Sequence, residues 1–269
     1  MDGLGFSIAG LLVGTAVGAT GVGGGSLMTP ILILFYGVSP AIAVGTDLLY
    51  ASVSKSYGVF LHGRNRTLDW TVVGWMALGS VPATAVTLAY IHSFGSSAEL
   101  DHLIKLTLAV AVIVTATFTL FQEPLLNWVK RLRGDNGAPR KITRRKQIAF
   151  TILSGVLVGS VVTISSVGAG VIGMMLLLLI YPRHEPISLV GSDLAHAVLI
   201  TGLAGLGHAQ LGTVNYSMLG WLLLGGLPGI WIGSRVGFKL DATQLKRVIS
   251  VILLIAGSMT MAKAVASGF

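Results

Sequence analysis

The 269 residues contain no cysteine, which excludes disulfides, thiolate metal ligands and a cysteine nucleophile together. Charge is nearly as scarce. Asp, Glu, Lys and Arg make up 10% of the chain against 53% hydrophobic residues, and the mean hydropathy is +0.83. A soluble domain of this size must show more polar surface to water, so the composition places the chain in a bilayer. Acidic residues are the rarer sign, 10 against 18 basic, giving a formal charge of +8. This imbalance does not imply a nucleic-acid partner, because the basic cluster lacks the interleaved aromatics that single-strand binders use. Met1-Asp2-Gly3 lacks the basic stretch of a signal peptide, so the first apolar run is expected to be retained.

The main positive feature is a duplication. Pro40 to Pro82 returns without a gap 146 residues later as Pro186 to Pro228, sharing Val44/Val190, Gly45/Gly191, Asp47/Asp193, Leu48/Leu194, Ala51/Ala197, His62/His208, Thr67/Thr213, Gly74/Gly220, Trp75/Trp221, Gly79/Gly225 and Pro82/Pro228. A duplicated hydrophobic unit in a membrane points to a carrier whose halves pack around a shared site. Eight apolar runs, from Leu4 to Thr20 through Leu245 to Val265, approach the ~20 helical residues needed to cross a ~30 Å core. Two more, Leu27 to Tyr36 and Val171 to Tyr181, hold only ten and eleven residues and are too short to cross alone. They occupy equivalent repeat positions, each just after a glycine cluster.

Charge placement orients the chain. Lys130, Arg131, Arg133, Arg140, Lys141, Arg144, Arg145 and Lys146 crowd one polar linker, which the positive-inside rule assigns to the cytoplasm. Five segments per half then put both termini on the periplasmic side, and 15 of the 18 Lys and Arg fall inside. An odd number of segments per repeat inverts one half relative to the other. The expected fold class is therefore an all-α polytopic membrane protein with two inverted repeats, residues 1–121 and 147–269, joined by a basic linker, 122–146.

Backbone as irregular as Gly18 to Ser26 is tolerated at membrane depth only inside protein or beside a wet cavity. The short helix starting near Ser26, and its counterpart after Ser165 to Gly170, would present N–H groups and a positive dipole end to that cavity, a position that suits anions. Close helix packing through small residues is the plain alternative. Asp47 and Asp193 each lie about seven residues into a helix, where a charge costs on the order of 2.5–3.5 kcal/mol on insertion scales. They need partners or a function, and proton coupling is one. At 100° per residue, Tyr50, Ala51, Ser54 and Gly58 share the Asp47 face, and His196 and Ala197 share the Asp193 face. Lys55 lies about 80° from Asp47, placed either to meet a carboxylate or an anion or to snorkel. The matched hydroxyls Thr46 and Ser192 can each donate to an oxyanion or bond back to their own helix. His62 and His208, at helix ends, read as interfacial histidines. Pro82 and Pro228 remove backbone donors within helices, and Gly225, Gly229 and Gly233 form a packing ladder.

The glycine-rich first hairpin, the Gly-Thr of GVSPAIAVGTDLL, its echo in VGSDLAHAVLITGLAGLGHAQLGTVNY, and LGGLPGIWIGSR resemble the TauE/SafE sulfite exporter and anion permease family over nearly the whole chain. The resemblance implies a bacterial inner-membrane carrier for sulfite, sulfonates or related sulfur oxyanions. It also implies substrate-facing positions at Gly24, Gly25, Gly45, Thr46, Gly170, Gly191 and Ser192. The chain departs from that pattern at Asp47 and Asp193, where many members carry a small residue, and at Pro82-Ala83, where the second half has Pro-Gly.

Together these readings give a secondary transporter moving a small oxyanion by alternating access. Gly24, Gly25, Ser26, Gly45, Thr46, Lys55, Gly170, Gly191 and Ser192 bind substrate, and Asp47, Asp193 and His196 couple an ion. No catalytic residue, metal or cofactor is expected; the partners are the bilayer and a small anion. A cation-coupled or cationic-substrate carrier using the two aspartates is the first alternative. A membrane-embedded hydrolase is disfavoured by the absence of a Gly-x-Ser-x-Gly elbow or a His-Glu-x-x-His pair.

Overall fold

A long apolar run in lipid has one inexpensive solution, because a helix satisfies every backbone group within the segment. The computed structural model describes residues 3–20, 25–64, 68–94, 98–121, 124, 143–236 and 242–266. The first half comprises α1 (Gly3–Thr20), α2 (Gly25–Leu34), α3 (Pro40–Arg64), α4 (Trp70–Phe94) and α5 (Ala98–Leu120). The second comprises α6 (Arg144–Ser165), α7 (Val171–Ile180), α8 (Pro186–Gln210), α9 (Tyr216–Val236) and α10 (Ala242–Ala266). There is no strand among the described residues, so the chain is an all-α polytopic protein. Six described helices, α4, α5, α6, α8, α9 and α10, are long and apolar enough to cross a membrane. The short segments anticipated in the sequence are α2 and α7, each 10 residues long. Arg144 to Lys146, counted in the linker above, form the first turn of α6; most of that linker lies outside the described residues.

The duplication is visible in the packing. Helix α1 packs on α9 while its equivalent α6 packs on α4, so the halves exchange partners; α3 pairs with α8, and α5 with α10. Two hydrophobic clusters use equivalent residues. Met28, Leu32, Met218 and Leu222 gather around α2, and Leu178, Val72 and Met76 gather around α7, with partly buried Met174 against them. Glycines make the exchanged seams possible. A Cβ on Gly14 would lie 2.4 Å from the Gly226 carbonyl oxygen, and one on Gly229 would lie 2.5 Å from that of Leu11. In the matching seam, a Cβ on Gly155 would lie 2.1 Å from the Met76 oxygen and one on Gly79 would lie 2.0 Å from the Ile152 oxygen. Only hydrogen at these positions lets two backbones approach so closely, the small-residue geometry of membrane helix pairs. Helices α4 and α9 continue through Pro82 and Pro228.

Polarity runs inside out. Leu4, Val86, Leu153 and Leu224 are each at least 60% exposed on the outer faces, whereas Asp47, Lys55, Asp193 and His196 are buried. A large apolar exterior around a charged interior matches hydrocarbon outside and a ligand or ion inside.

Candidate functional site

The site forms where α3 and α8 cross. On α3 the stripe Asp47, Tyr50 and Ser54 follows helical spacing, with Lys55 beside it, and α8 brings Asp193 and His196 from the other half. The short helices complete the surroundings through Thr29 of α2, Gly173 of α7 and the 166–170 turn that precedes α7.

Lys55 is the centre. Its side chain is buried, its Nζ donates to the Ala169 carbonyl at 2.9 Å, and both Asp193 and Asp47 lie within its electrostatic reach. Of the two placements the sequence allowed, the lysine therefore takes the interior one. An ammonium carries three donors, so two remain beyond the Ala169 bond. Asp193 presses against α7: a Cβ on Gly173 would lie 2.2 Å from Asp193 Oδ1, so glycine there makes room for the carboxylate. Asp47 Oδ2 accepts a short hydrogen bond from the Thr29 hydroxyl. Oxygens without a partner surround this group, namely Asp47 Oδ1, Asp193 Oδ1, Tyr50 OH, Ser54 Oγ and Ser166 Oγ. Leaving a buried polar atom unsatisfied costs about 1–3 kcal/mol, so such a concentration marks a place built for ligands, ions or water.

His196 Nε2 lies 2.8 Å from Ser80 Oγ of α4, about one turn along α8 from Asp193. Its repeat equivalent is Tyr50, whose hydroxyl sits against Gly226 just as His196 sits against Ser80. The two halves thus use the same contact with different chemistry.

Thr46 and Ser192 stand apart from this cluster. Thr46 Oγ1 accepts from the Asn215 backbone N–H at 3.0 Å, and Ser192 Oγ accepts from the Asp69 N–H at 2.9 Å while donating to Ser188 O at 2.8 Å. Asn215 and Asp69 are repeat equivalents and cap the starts of α9 and α4: Asn215 Oδ1 accepts from Met218 N–H, and Asp69 Oδ1 from Thr71 N–H. Each hydroxyl therefore ties one half's third helix to the other half's fourth. Gly45 belongs to the same joint, since a Cβ there would lie 2.4 Å from the Thr213 oxygen. Gly191 precedes Ser192 in the second joint.

The glycine turn of the second half is strongly bent, with Ser166, Gly168 and Gly170 at φ of 58°, 107° and 120°. The Ile172 N–H already bonds the Gly168 carbonyl at 3.2 Å, which leaves fewer free donors at the start of α7 than the sequence suggested. In the first half, Gly25 and Ser26 open α2, and Gly24 lies outside the described residues.

His208 is fully buried rather than interfacial. Its Nε2 donates to the Thr163 carbonyl at 3.0 Å and its Nδ1 lies 2.8 Å from Thr213 Oγ1, which makes it a tether between α8 and α6. Sequence reasoning missed Thr29, Ser80 and Gly173 as neighbours of the ionisable groups. For Thr29 and Gly173 the legible signal was a small or hydroxyl residue inside a short apolar helix; Ser80, in the long α4, carried none.

Comparison with known proteins agrees with this architecture. The family described as sulfite exporter TauE/SafE matches over residues 6–260. The probable membrane transporter protein YjnA of Bacillus subtilis (strain 168) is 34% identical over 251 residues, covering 93% of this chain and 96% of that protein. YunE of the same organism, also a probable membrane transporter protein, is 22% identical, with 93% and 94% covered. The probable membrane transporter protein MJ0441 of Methanocaldococcus jannaschii is 22% identical, with 93% and 92% covered. No solved structure matches.

Proposed function

The chain belongs to the sulfite exporter TauE/SafE family, and from that membership together with the buried charge cluster we propose an ion-coupled carrier of small sulfur oxyanions. It is a multi-pass membrane transporter. In this reading sulfite, an organosulfonate or a related anion crosses the bacterial inner membrane by alternating access. The observation that carries the proposal is Lys55, a buried ammonium with donors to spare, lodged between the two halves. A hydrogen bond from a charged donor is worth about 1.5–3 kcal/mol, which suits an anion that must bind and leave. The 166–170 turn and the start of α2 form the walls of the site. The joints at Gly45, Thr46, Gly191 and Ser192 hold the two halves in register as they move.

Charge arithmetic supports coupling. With Asp47, Asp193 and Lys55 all ionised the cluster carries one net negative charge, and an incoming anion would be repelled. A cation, either a proton or a metal ion, must neutralise a carboxylate first, which gives Asp47, Asp193 and the adjacent His196 their coupling role. A cationic substrate fits less well, because Lys55 occupies the same interior.

Two measurements test this reading. Purified protein in liposomes is expected to move labelled sulfite unaltered, driven by an imposed pH or sodium gradient. Asn at both Asp47 and Asp193 is expected to remove that gradient dependence, since Asn keeps hydrogen bonds but cannot balance charge. Unchanged gradient dependence in the double variant would assign both carboxylates to structure. The inverted arrangement has its own test, eased by the absence of native cysteine. A cysteine at Ser267 is expected to react with an impermeant maleimide on intact cells and one at Gly137 is not; the opposite pattern would overturn the topology.

A further inference from the structure

We infer that Asp47, with the hydroxyls of Thr29, Tyr50, Ser54 and Ser166, forms a sodium-ion site distinct from the anion site at Lys55. The inference rests on the coupling reading above and names its ion and ligands.

The equivalent residues Asp47 and Asp193 have different surroundings. Asp193 meets the Gly173 backbone and the Lys55 charge, and no side-chain hydroxyl bonds to it among the described residues. Asp47 sits among hydroxyls. Thr29 donates to its Oδ2, Ser166 adjoins the carboxylate, and Tyr50 and Ser54 neighbour each other on the same face of α3. Four oxygens in this group, Asp47 Oδ1, Tyr50 OH, Ser54 Oγ and Ser166 Oγ, are buried and without partners, with Tyr50 1% and Ser166 2% exposed. Ser166 lies close enough to Asp47, and Ser54 to Tyr50, for weak hydrogen bonds of poor geometry, and a hydroxyl that donates one proton keeps its lone pairs, so these oxygens can still turn to a common third body.

Ligand chemistry narrows what that body is. Calcium favours six to eight oxygens with several carboxylates, and zinc favours nitrogen and sulfur. The described residues contain no cluster of three or more His, Cys, Asp or Glu. One carboxylate among neutral oxygens carries a single negative charge, the balance a monovalent hard cation requires. Lys55 is tied to Ala169 O in the same turn that carries Ser166, and its charge interacts more with Asp193 than with Asp47, so Asp47 keeps most of its negative charge for a cation. A proton on Asp47 would need only one acceptor and would leave the remaining hydroxyls unpaired.

The test uses full-length protein in detergent at fixed pH with no anionic substrate, in choline chloride. Titrating sodium chloride is expected to raise Tm saturably, with potassium at equal ionic strength giving no comparable rise. Binding of ²²Na⁺ to the same protein is expected to saturate near one ion per chain. Asp47→Asn is expected to weaken sodium affinity at least about tenfold, whereas Gly220→Ala, with open space around it, retains it. Thr29→Val and Ser166→Ala provide independent ligand deletions should Asp47→Asn fold poorly, and each is expected to weaken binding. No saturable ²²Na⁺ binding in folded wild type, equal binding in folded Asp47→Asn, or stabilisation by low pH alone would overturn the site. Because no anionic substrate is present, such a failure leaves the sulfite flux experiment standing, and a loss of flux with sodium binding intact would fault the substrate reading instead.

Discussion

Lys55→Met is expected to reduce sulfite affinity at least about 100-fold and to abolish gradient-driven flux. Methionine keeps the length and apolar stem of lysine but deletes the ammonium, leaving an incoming anion to face Asp47 and Asp193 with no buried cation. The lost charge-assisted hydrogen bond alone accounts for about 1.5–3 kcal/mol, roughly 10- to 100-fold, and the uncompensated repulsion adds to it. Folding needs a separate control. Lys55 and Asp193 interact through space without a direct contact, so deleting the lysine leaves a buried carboxylate less balanced and costs stability, up to the about 3–5 kcal/mol of a broken buried pair. Combining Lys55→Met with Asp193→Asn removes that carboxylate, so the double variant is expected to recover thermal stability while sulfite binding stays lost. Arginine should not rescue, since its planar fork differs from the compact ammonium that fits beside Ala169 O. Isothermal titration with sulfite decides the matter, and wild-type affinity in a folded Lys55→Met protein would reduce the lysine to a structural partner of Asp193.

Gly14→Val and Gly229→Val are expected to eliminate most folded, extractable protein. At both positions a Cβ would collide with backbone across the α1–α9 seam, and backbone, unlike a side-chain tip, has no alternative rotamer to adopt. Overpacking costs about 1–3 kcal/mol where side chains can yield and more where they cannot, and forcing the helices apart would unseat the contacts around α2 as well. Gly220→Ala is the matched control. Nothing lies within 4 Å of a Cβ there or at its repeat equivalent Gly74, so alanine is expected to be tolerated and to favour the helix by about 1 kcal/mol. Fluorescence-detected gel filtration compares the three variants directly. A monodisperse Gly229→Val protein at wild-type yield would mean that the seam can open without cost.

Much of the architecture was legible along the chain. Hydropathy marked the long helices, the 146-residue offset matched α2 with α7 and α3 with α8, and the four-residue spacing of Gly225, Gly229 and Gly233 identified a packing face. The ionisable residues of the interior were also legible, because Asp47, Lys55 and Asp193 stand out within apolar runs. Their roles were harder to read. The repeat match made Thr46 and Ser192 look like a paired ligand shell, yet each hydroxyl accepts a backbone N–H from the opposite half. A duplicated residue is kept equally well by a duplicated structural joint and by a shared site, and a sequence alone does not separate them.

Whatever acts within one segment could be read along the chain: the bilayer as solvent, helix lengths, the repeat unit, and which residues share a face of α3 or α8. Those properties follow from transfer free energy and from 3.6 residues per turn, both local. It took the packed fold to bring Lys55 to the Ala169 carbonyl, the Thr29 hydroxyl to Asp47 and Asp193 against Gly173. Each of those contacts joins residues from different helices. They depend on α3 meeting α8 and on α1 and α6 exchanging partners across the repeat, and no periodicity within a single helix encodes that choice.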